Sequence, residues 1–220
     1  MALGPDRVID CGDVRLEAFV TGTWREICYM VTDRSAGETA VIDPGDEFER
    51  LIAHIDEQGQ HVRQILCTHA HYDHVGAVVA LSEHTGISCQ VHHLDLVLLK
   101  RAPLYALSFE RKSIPLPEAV EVFEDGATFE LGARSFESAT YPGHTPGSTC
   151  FRYGNLLFVG DTLLRGKRGR TDLPGGDAVA LEKSISSMLR DFDGDCVLLP
   201  GHGEPWSIEE ARDWWAEQGT

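Results

Sequence analysis

Short apolar runs separated by polar turn residues dominate the first half of this chain and predict β-strands. Apolar positions at helical spacing interrupt them, and a helix capped by Asp46 is expected to end near Gly59. The strands predicted here are Val14 to Val20, Ile27 to Val31, Thr39 to Asp43, Ile65 to Cys67 and Ser88 to Val91. Two further helices are predicted at Val75 to Leu81 and His93 to Lys100.

The second half repeats this arrangement of strands followed by helices. Asp177 is expected to open a helix that ends near Leu189, and a capping box at Ser207 predicts the final helix. The predicted strands are Val120 to Phe123, Ala127 to Leu131, Ser135 to Thr140, Thr149 to Tyr153, Leu156 to Val159 and Asp195 to Leu199. Two such halves predict two β-sheets packed on each other with helices outside. No linker or short repeat divides the chain, so we expect a single domain over residues 1–220.

The segment from Arg101 to Pro117 has weak periodicity and several prolines and aromatic residues. Either a long loop or an irregular helix fits this pattern. Such segments often cover binding sites, although a simple surface crossover is an equal alternative.

Charge and the N-terminal pattern exclude some classes of partner. The net charge is −16, from 35 acidic and 19 basic residues, and such a surface repels the phosphates of nucleic acids. Neither a signal peptide nor a membrane span is predicted, so we expect a cytoplasmic protein without a membrane partner. The cysteines lack close pairs, and we expect reduced thiols, mostly in the core: Cys11, Cys28, Cys67, Cys89, Cys150 and Cys196.

The stretch from Thr68 to Gly76 carries four side chains able to bind a transition metal within six residues. His69 and His71 follow a buried strand and, being two apart, point toward one side. Asp73 and His74 then open a helix and face the same space, and Asp73 is also a candidate N-cap. An isolated histidine or aspartate has ordinary structural explanations, but this combination predicts a metal site.

Three more candidate ligands share a common setting. His144, Asp161 and His202 each come shortly after a predicted strand and directly after a glycine. Glycine permits the turn and the close backbone approach that a crowded site requires. Together with the first cluster, these residues supply five histidines and two aspartates, enough for two metal ions.

The series H-x-H-x-D-H at residues 69–74, P-G-H-T-x-G at 142–147, G-D at 160–161 and P-G-H-G at 200–203 resembles the metallo-β-lactamase superfamily. The residues Gly160 to Leu163 and Gly169 to Asp177 are similar to its glyoxalase II (hydroxyacylglutathione hydrolase) branch. The resemblance implies an α/β fold, a four-layer αββα sandwich of two mixed sheets flanked by helices. It also implies that His69, His71 and His144 hold one metal, that Asp73, His74 and His202 hold a second, and that Asp161 bridges both.

The same resemblance implies hydrolysis by a metal-bridged hydroxide, with Asp73 orienting the nucleophile. Two divalent metals are expected, zinc first, with iron and manganese as alternatives. The implied substrate is a small-molecule acyl thioester, S-acylglutathione or a related compound, or a similar ester. A thiolate leaving group needs little acid catalysis. The remaining histidines have no ligand motif: His54, His61 and His84 are expected on helix surfaces or loops, and His92 and His93 are candidates for proximity alone.

Four basic residues follow Asp161 in this acidic protein, and three of them, Lys167, Arg168 and Arg170, are candidate substrate-binding residues for an anionic group. The alternative is a solvated loop in which Arg170 pairs with Asp172 or Asp177. Only about one helix follows His202, whereas full-length glyoxalase II adds a helical extension, so lactoylglutathione is not favoured as the substrate.

Other activities of the same superfamily remain open. A persulfide dioxygenase would use one iron held by His69, His144 and Asp161, although Arg168 stands where those enzymes commonly carry cysteine. A lactone hydrolase would use the same hydroxide. The flavodiiron branch has glutamate where His71 stands, which disfavours that alternative. The residues leave the oligomeric state open.

Overall fold

Two β-sheets packed face to face form the centre of the protein. The computed structural model describes residues 4–192 and 194–219. The first sheet contains β1 (Arg7–Cys11), β2 (Val14–Thr21), β3 (Glu26–Asp33), β4 (Glu38–Ile42), β5 (His61–Leu66), β6 (Cys89–His92) and β7 (Val120–Phe123), in that order. Pairing is antiparallel from β1 to β4 and parallel from β4 to β7, so the sheet is mixed. The sequence pattern groups β7 with the second half, but this strand pairs with β6.

The second sheet is also mixed. Its strands are β8 (Thr128–Leu131), β9 (Arg134–Thr140), β10 (Thr149–Tyr153), β11 (Leu156–Gly160), β14 (Val197–Pro200) and β15 (Trp206–Ser207). The spatial order is β15-β14-β11-β10-β9-β8, and only β11 and β14 pair in parallel. A separate short hairpin joins β12 (Leu163–Leu164) to β13 (Lys167–Arg168).

Within the described residues, six α-helices flank the two sheets. They are α1 (Phe48–Gln58), α2 (Tyr72–Val75), α3 (Val78–Thr85), α4 (Leu96–Glu110), α5 (Ala178–Asp191) and α6 (Ile208–Glu217), and a 3-10 turn at His93–Asp95 precedes α4. Asp177 caps α5 by accepting from the Ala180 amide, and Ser207 with Glu210 forms the capping box of α6. Both caps confirm the predicted helix starts.

Three apolar clusters define four layers. One cluster joins α1, α3 and α4 to the first sheet, and another joins α5 and α6 to the second sheet. Between the sheets lies a third cluster rich in aromatic rings, including Phe136, Phe151 and Phe158. Burying such large side chains supplies much of the free energy that holds the sheets together. The predicted αββα sandwich of two mixed sheets is therefore confirmed.

Two predicted helix starts were wrong in detail. Glu47, in the left-handed region at φ 51°, is the N-cap of α1, and Asp46 instead accepts a hydrogen bond from the Glu47 amide. His71 is the N-cap of α2, which places Asp73 inside the first turn. The predicted helix Val75 to Leu81 is divided between α2 and α3, because the Ala77 amide donates to the Pro44 carbonyl at 3.0 Å instead of continuing the helix.

The segment from Arg101 to Pro117 is helical in its first part. α4 continues through Pro103 to Glu110 and then ends at Arg111, which takes a left-handed conformation at φ 56°. The helix persists because Ala102 and Ala106 are buried against the first sheet, and this packing outweighs the backbone hydrogen bond that proline cannot donate. Among the described residues, no helix is both long and apolar enough to cross a membrane.

The cysteine prediction is confirmed, and one histidine prediction was wrong. Cys28, Cys67, Cys89 and Cys150 are buried free thiols, Cys11 is a partly buried one, and Cys196 is also buried. His54 lies in the interior rather than on a helix surface, because its Nε2 pairs with the buried carboxylate of Glu17 at 3.0 Å. His61 and His84 lie outside the core as expected.

Candidate metal centre

All seven residues predicted as ligands lie at one edge of the sandwich, where strands of both sheets end. The first sheet contributes His69 and His71 from the loop after β5, and Asp73 and His74 from α2. The second sheet contributes His144 after β9, Asp161 after β11 and His202 after β14. Residues far apart in the sequence meet here because carboxyl ends of several strands converge at this edge.

The first group of ligand atoms belongs to three buried histidines. His144 Nε2 lies 3.2 Å from His69 Nε2 and 2.9 Å from His71 Nδ1. All three ligand atoms lie within 4.8 Å of one another, which suits a single metal ion. The arrangement matches the set predicted for the first metal.

The second group contains Asp73, His74 and His202, whose ligand atoms also lie within 4.8 Å of one another. His74 Nε2 lies 3.2 Å from His202 Nε2. Asp73 Oδ2 lies 3.7 Å from His74 Nε2 and 3.5 Å from His202 Nε2. This arrangement matches the set predicted for the second metal.

Asp161 lies between the two groups. Its Oδ2 is 3.8 Å from His144 Nε2 and 3.5 Å from His202 Nε2, and its Oδ1 is 3.8 Å from His74 Nε2. Oδ1 is buried and has no hydrogen-bond partner among the described residues. One carboxylate thus faces both histidine sets, as a bridging ligand must.

The donor atoms fit divalent metal ions. A tetrahedral ion with imidazole ligands at its usual distance holds neighbouring nitrogens about 3.3 Å apart. The nitrogen pairs His69–His144 and His74–His202 are both separated by 3.2 Å. In four of the five histidines the other ring nitrogen faces an oxygen atom, which orients the ring: His69 to Thr68 Oγ1, His74 to Asp43 Oδ2, His144 to the Arg170 carbonyl and His202 to the Trp24 carbonyl. His71 Nε2 is buried without a hydrogen-bond partner among the described residues.

Burial and neighbouring charges give the histidines of the two groups different pKa values. Burial lowers the pKa of His71 to about 3 and holds the pKa of His69 well below its usual range, so both rings are neutral and free to bind a cation. Burial also opposes charge on His74, but the carboxylates of Asp73, Asp43 and Asp161 outweigh it and raise its pKa to about 10. Burial would raise the pKa of Asp73, yet the neighbouring His74 and His202 hold it below its usual range.

Glycine is required where the ligand-bearing turns touch. A Cβ on Gly201 would lie 2.4 Å from Asp161 Oδ1 and 2.6 Å from His74 Cε1. Gly160 has φ 49°, and a Cβ there would lie 2.3 Å from Thr68 Oγ1. These two positions explain why glycine precedes both Asp161 and His202.

Two buried carboxylates that support the ligands were missed from the sequence. Asp43 accepts from the Thr68 amide at 2.7 Å and from Thr68 Oγ1 at 2.6 Å, and its Oδ2 also faces His74. Asp43 has a left-handed φ of 51°, which is uncommon for a residue other than glycine. This unusual backbone angle marks Asp43 as a special position, but it cannot be read from the sequence.

Asp95 is the second missed carboxylate. It is fully buried and accepts from the Ala70 amide at 3.0 Å, the Thr145 hydroxyl at 2.8 Å and the Gly147 amide at 2.7 Å. Burial raises its pKa, and the three donors limit that rise. Because Ala70 lies between His69 and His71, and Thr145 follows His144, Asp95 joins the two loops that carry the first histidine group.

A cleft of about 310 Å³ opens over both groups of ligands. The three predicted substrate-binding residues, Lys167, Arg168 and Arg170, line it. Arg170 makes a two-pronged ion pair with Asp172 at 2.9 Å, which is the structural pairing left open by the sequence. The backbone carbonyl of Arg170, rather than its side chain, contacts the candidate ligand His144. His92 and His93 are absent from the lining and from the ligand groups of the described residues.

Comparison with known proteins agrees with this geometry. The profile of the Metallo-beta-lactamase superfamily matches residues 24–202. A hydroxyacylglutathione hydrolase, GloC, of Haemophilus influenzae is 33% identical over 204 residues, which cover 90% of this chain and 95% of that protein. The structure of TTHA1623 in a di-iron-bound form is 36% identical, with a TM-score of 0.81 over 89% of this chain and 96% of that one. BLEG-1, a B3 metallo-beta-lactamase, is 28% identical, with a TM-score of 0.84 over 90% and 96%. The chain belongs to the metallo-β-lactamase superfamily and is similar to its glyoxalase II-like members.

Proposed function

We propose that this protein is a binuclear metal-dependent hydrolase that cleaves acyl thioesters, or similar esters, of small molecules. The observation that carries the proposal is the pair of ligand groups joined by Asp161, whose two oxygens face His74, His144 and His202. Divalent cations bound there would lower the pKa of a bound water molecule toward neutrality, and they would polarise the carbonyl oxygen of a substrate. Zinc is the first choice because three imidazoles suit it, and the di-iron relative keeps iron as an alternative.

The chain's own residues supply orientation and charge balance. Asp73 holds Oδ2 toward the second histidine pair, which leaves Oδ1 to accept a hydrogen bond from the attacking water. The side chains of Asp73, Asp161 and His202 are partly exposed, and all three line the cleft where substrate would enter. His69 and His71 are buried, and His71 also reaches the cleft lining.

A thioester suits this site better than an amide. The leaving thiolate ionises at an ordinary pKa near 8.5 and needs no proton from the protein. The described lining side chains that remain after the candidate metal ligands are aromatic, aliphatic or basic, and they include neither a carboxylic acid nor a histidine that could protonate an amide leaving group. The similarity to GloC favours the same class of bond. We expect the protein to act in the cytoplasm.

The test is elemental analysis of protein purified without added metal, combined with assays for thioester, ester and lactone hydrolysis. Two metal ions per chain with thioester hydrolysis supports the proposal. One iron per chain, with oxygen consumed in the presence of glutathione persulfide, would establish the dioxygenase alternative instead. The His84→Ala variant controls for metal adventitiously bound by exposed histidine, since His84 lies on α3, outside the candidate metal centre, and pairs with Asp56.

A further inference from the structure

The cleft over the metal centre has two chemically different walls. One wall is a strip of three aromatic residues, Trp24, Tyr72 and Phe109. The rings of Tyr72 and Phe109 stack with centroids 6.1 Å apart and planes 13° apart. Trp24 is 48% exposed and Phe109 is 54% exposed, so large apolar surfaces face solvent beside the ligands Asp73 and His202.

The aromatic strip is anchored to the metal centre. The Trp24 carbonyl accepts from His202 Nδ1 at 3.0 Å, and Tyr72 directly precedes Asp73 in α2. Phe109 comes from the last turn of α4 and extends the strip away from the ligands. A group bonded to a carbonyl carbon over the metals would therefore meet an apolar surface already held in place.

The basic part of the cleft lining carries one positive charge that no described residue neutralises. Arg168 pairs with Glu182, and Arg170 pairs with Asp172. The side-chain ammonium of Lys167, on the short hairpin that follows Asp161, has neither a hydrogen bond nor an ion pair within the described part of the chain. In a protein of net charge −16, this ammonium group provides a local site for an anion.

We propose, resting on the thioesterase function above, that the substrates are thioesters of a sizeable apolar or aromatic acyl group on an anionic thiol carrier. Biological thiol carriers bear the carboxylates or phosphates of the molecule, whereas the acyl group supplies the apolar surface. The acyl group then lies along Trp24, Tyr72 and Phe109, and the carrier's anion reaches Lys167. A small hydroxylated acyl group such as lactoyl covers little of the strip and is a poorer substrate.

The first experiment measures substrate preference with metal-loaded protein. Octanoyl-glutathione is expected to exceed both acetyl- and lactoyl-glutathione in kcat/KM by about tenfold, since each methylene laid on apolar surface adds to binding. Calorimetry with S-octyl- and S-methyl-glutathione, thioethers that lack the scissile carbonyl, should show the same order in Kd. Equal values across the acyl series would overturn this inference and leave the thioesterase proposal standing. Absence of hydrolysis for every thioester would overturn both.

Variants test which part of the substrate each set of lining residues binds. Phe109→Ala should reduce the octanoyl-to-acetyl ratio of kcat/KM about tenfold, and Leu107→Ala, an equally exposed apolar residue of α4 outside the cleft, should leave the ratio unchanged. Lys167→Gln should raise KM for octanoyl-glutathione relative to octanoyl-N-acetylcysteamine, which is neutral. Lys183→Gln removes the same charge from the exposed face of α5 and is the matched control. A ratio that Phe109→Ala does not change, or a KM that Lys167→Gln and Lys183→Gln change equally, would refute the placement.

Discussion

Replacing Asp95 with asparagine tests whether this buried carboxylate positions the first histidine group. The carboxylate accepts three hydrogen bonds, from Ala70, Thr145 and Gly147, within a fully buried setting. Asparagine keeps the shape but offers one acceptor oxygen. If that oxygen faces the Gly147 amide, the new NH2 group opposes the Ala70 N–H, and a buried donor is left unpaired.

The magnitude follows from these contacts. A hydrogen bond to a charged acceptor contributes about 1.5–3 kcal/mol, and an unpaired buried donor costs a similar amount, so we expect a loss of about 2–4 kcal/mol of stability. Residues that orient metal ligands typically change metal affinity by about 10–100-fold. We expect that loss in the first group, His69, His71 and His144, and a smaller change in the second. A chelator competition titration that resolves two sites measures both constants, and thermal denaturation of the metal-free protein measures stability.

A second buried carboxylate separates positioning from general destabilisation. Asp33 is 2% exposed and accepts four hydrogen bonds, from the Ser35 amide, the Ser35 hydroxyl, the Ala36 amide and the Tyr153 hydroxyl, but it contacts no loop that carries a candidate ligand. Asp33→Asn should lower the melting temperature without changing metal affinity. Equal loss of metal affinity in the two variants, or unchanged affinity in Asp95→Asn, would refute the positioning role.

Three further outcomes are expected. Asp161→Ala should reduce the metal occupancy of both sites, because the oxygens of Asp161 face both groups of ligands. The control variant His84→Ala, at an exposed histidine, should retain full occupancy. Elemental analysis after gel filtration measures the occupancy, and full metal retention in Asp161→Ala would contradict the bridging role. Arg170→Ala should lower stability by no more than about 1 kcal/mol, as for other exposed ion pairs, and should leave KM nearly unchanged; a KM increase matching that of Lys167→Gln would place its side chain on the substrate. Metal binding at pH 7.5 should release at least one proton, because His74 has a pKa of about 10 without metal and must be neutral to bind it. Affinity therefore rises with pH below that value, and equal calorimetric enthalpies in phosphate and Tris would show that no proton is released.

The seven candidate ligands that meet at this edge could be found in the sequence because each belongs to a local pattern. A buried strand, a glycine and a polar residue occur together at His144, Asp161 and His202, and the structure shows that Gly160 and Gly201 have no room for a side chain. The two-sheet architecture was predictable for a similar reason, since alternation and apolar runs report strand burial directly.

Supporting residues left no comparable trace in the sequence. Asp95 lies in an ordinary turn before a helix, and its partner Gly147 is 52 residues away. Its role depends on tertiary contacts that no local pattern encodes. Phe109 likewise belongs to a segment with weak periodicity, and its position became clear only because α4 continues through Pro103 and carries the ring to Tyr72.

Metal removal should weaken the sandwich without unfolding it. Each ligand group takes side chains from both sheets, since His144 and His202 follow strands of the second sheet and their partners follow β5 of the first. Bound metal therefore stabilises the packed sheets by about 4 kcal/mol when its free concentration is a thousand times Kd. The aromatic cluster between the sheets does not contain the candidate ligands. It therefore holds the two sheets together when metal is absent. We expect EDTA to lower the melting temperature by several degrees while the far-ultraviolet circular dichroism spectrum is retained. Loss of that spectrum at 25 °C would show that the metals, rather than the aromatic core, hold the two sheets together.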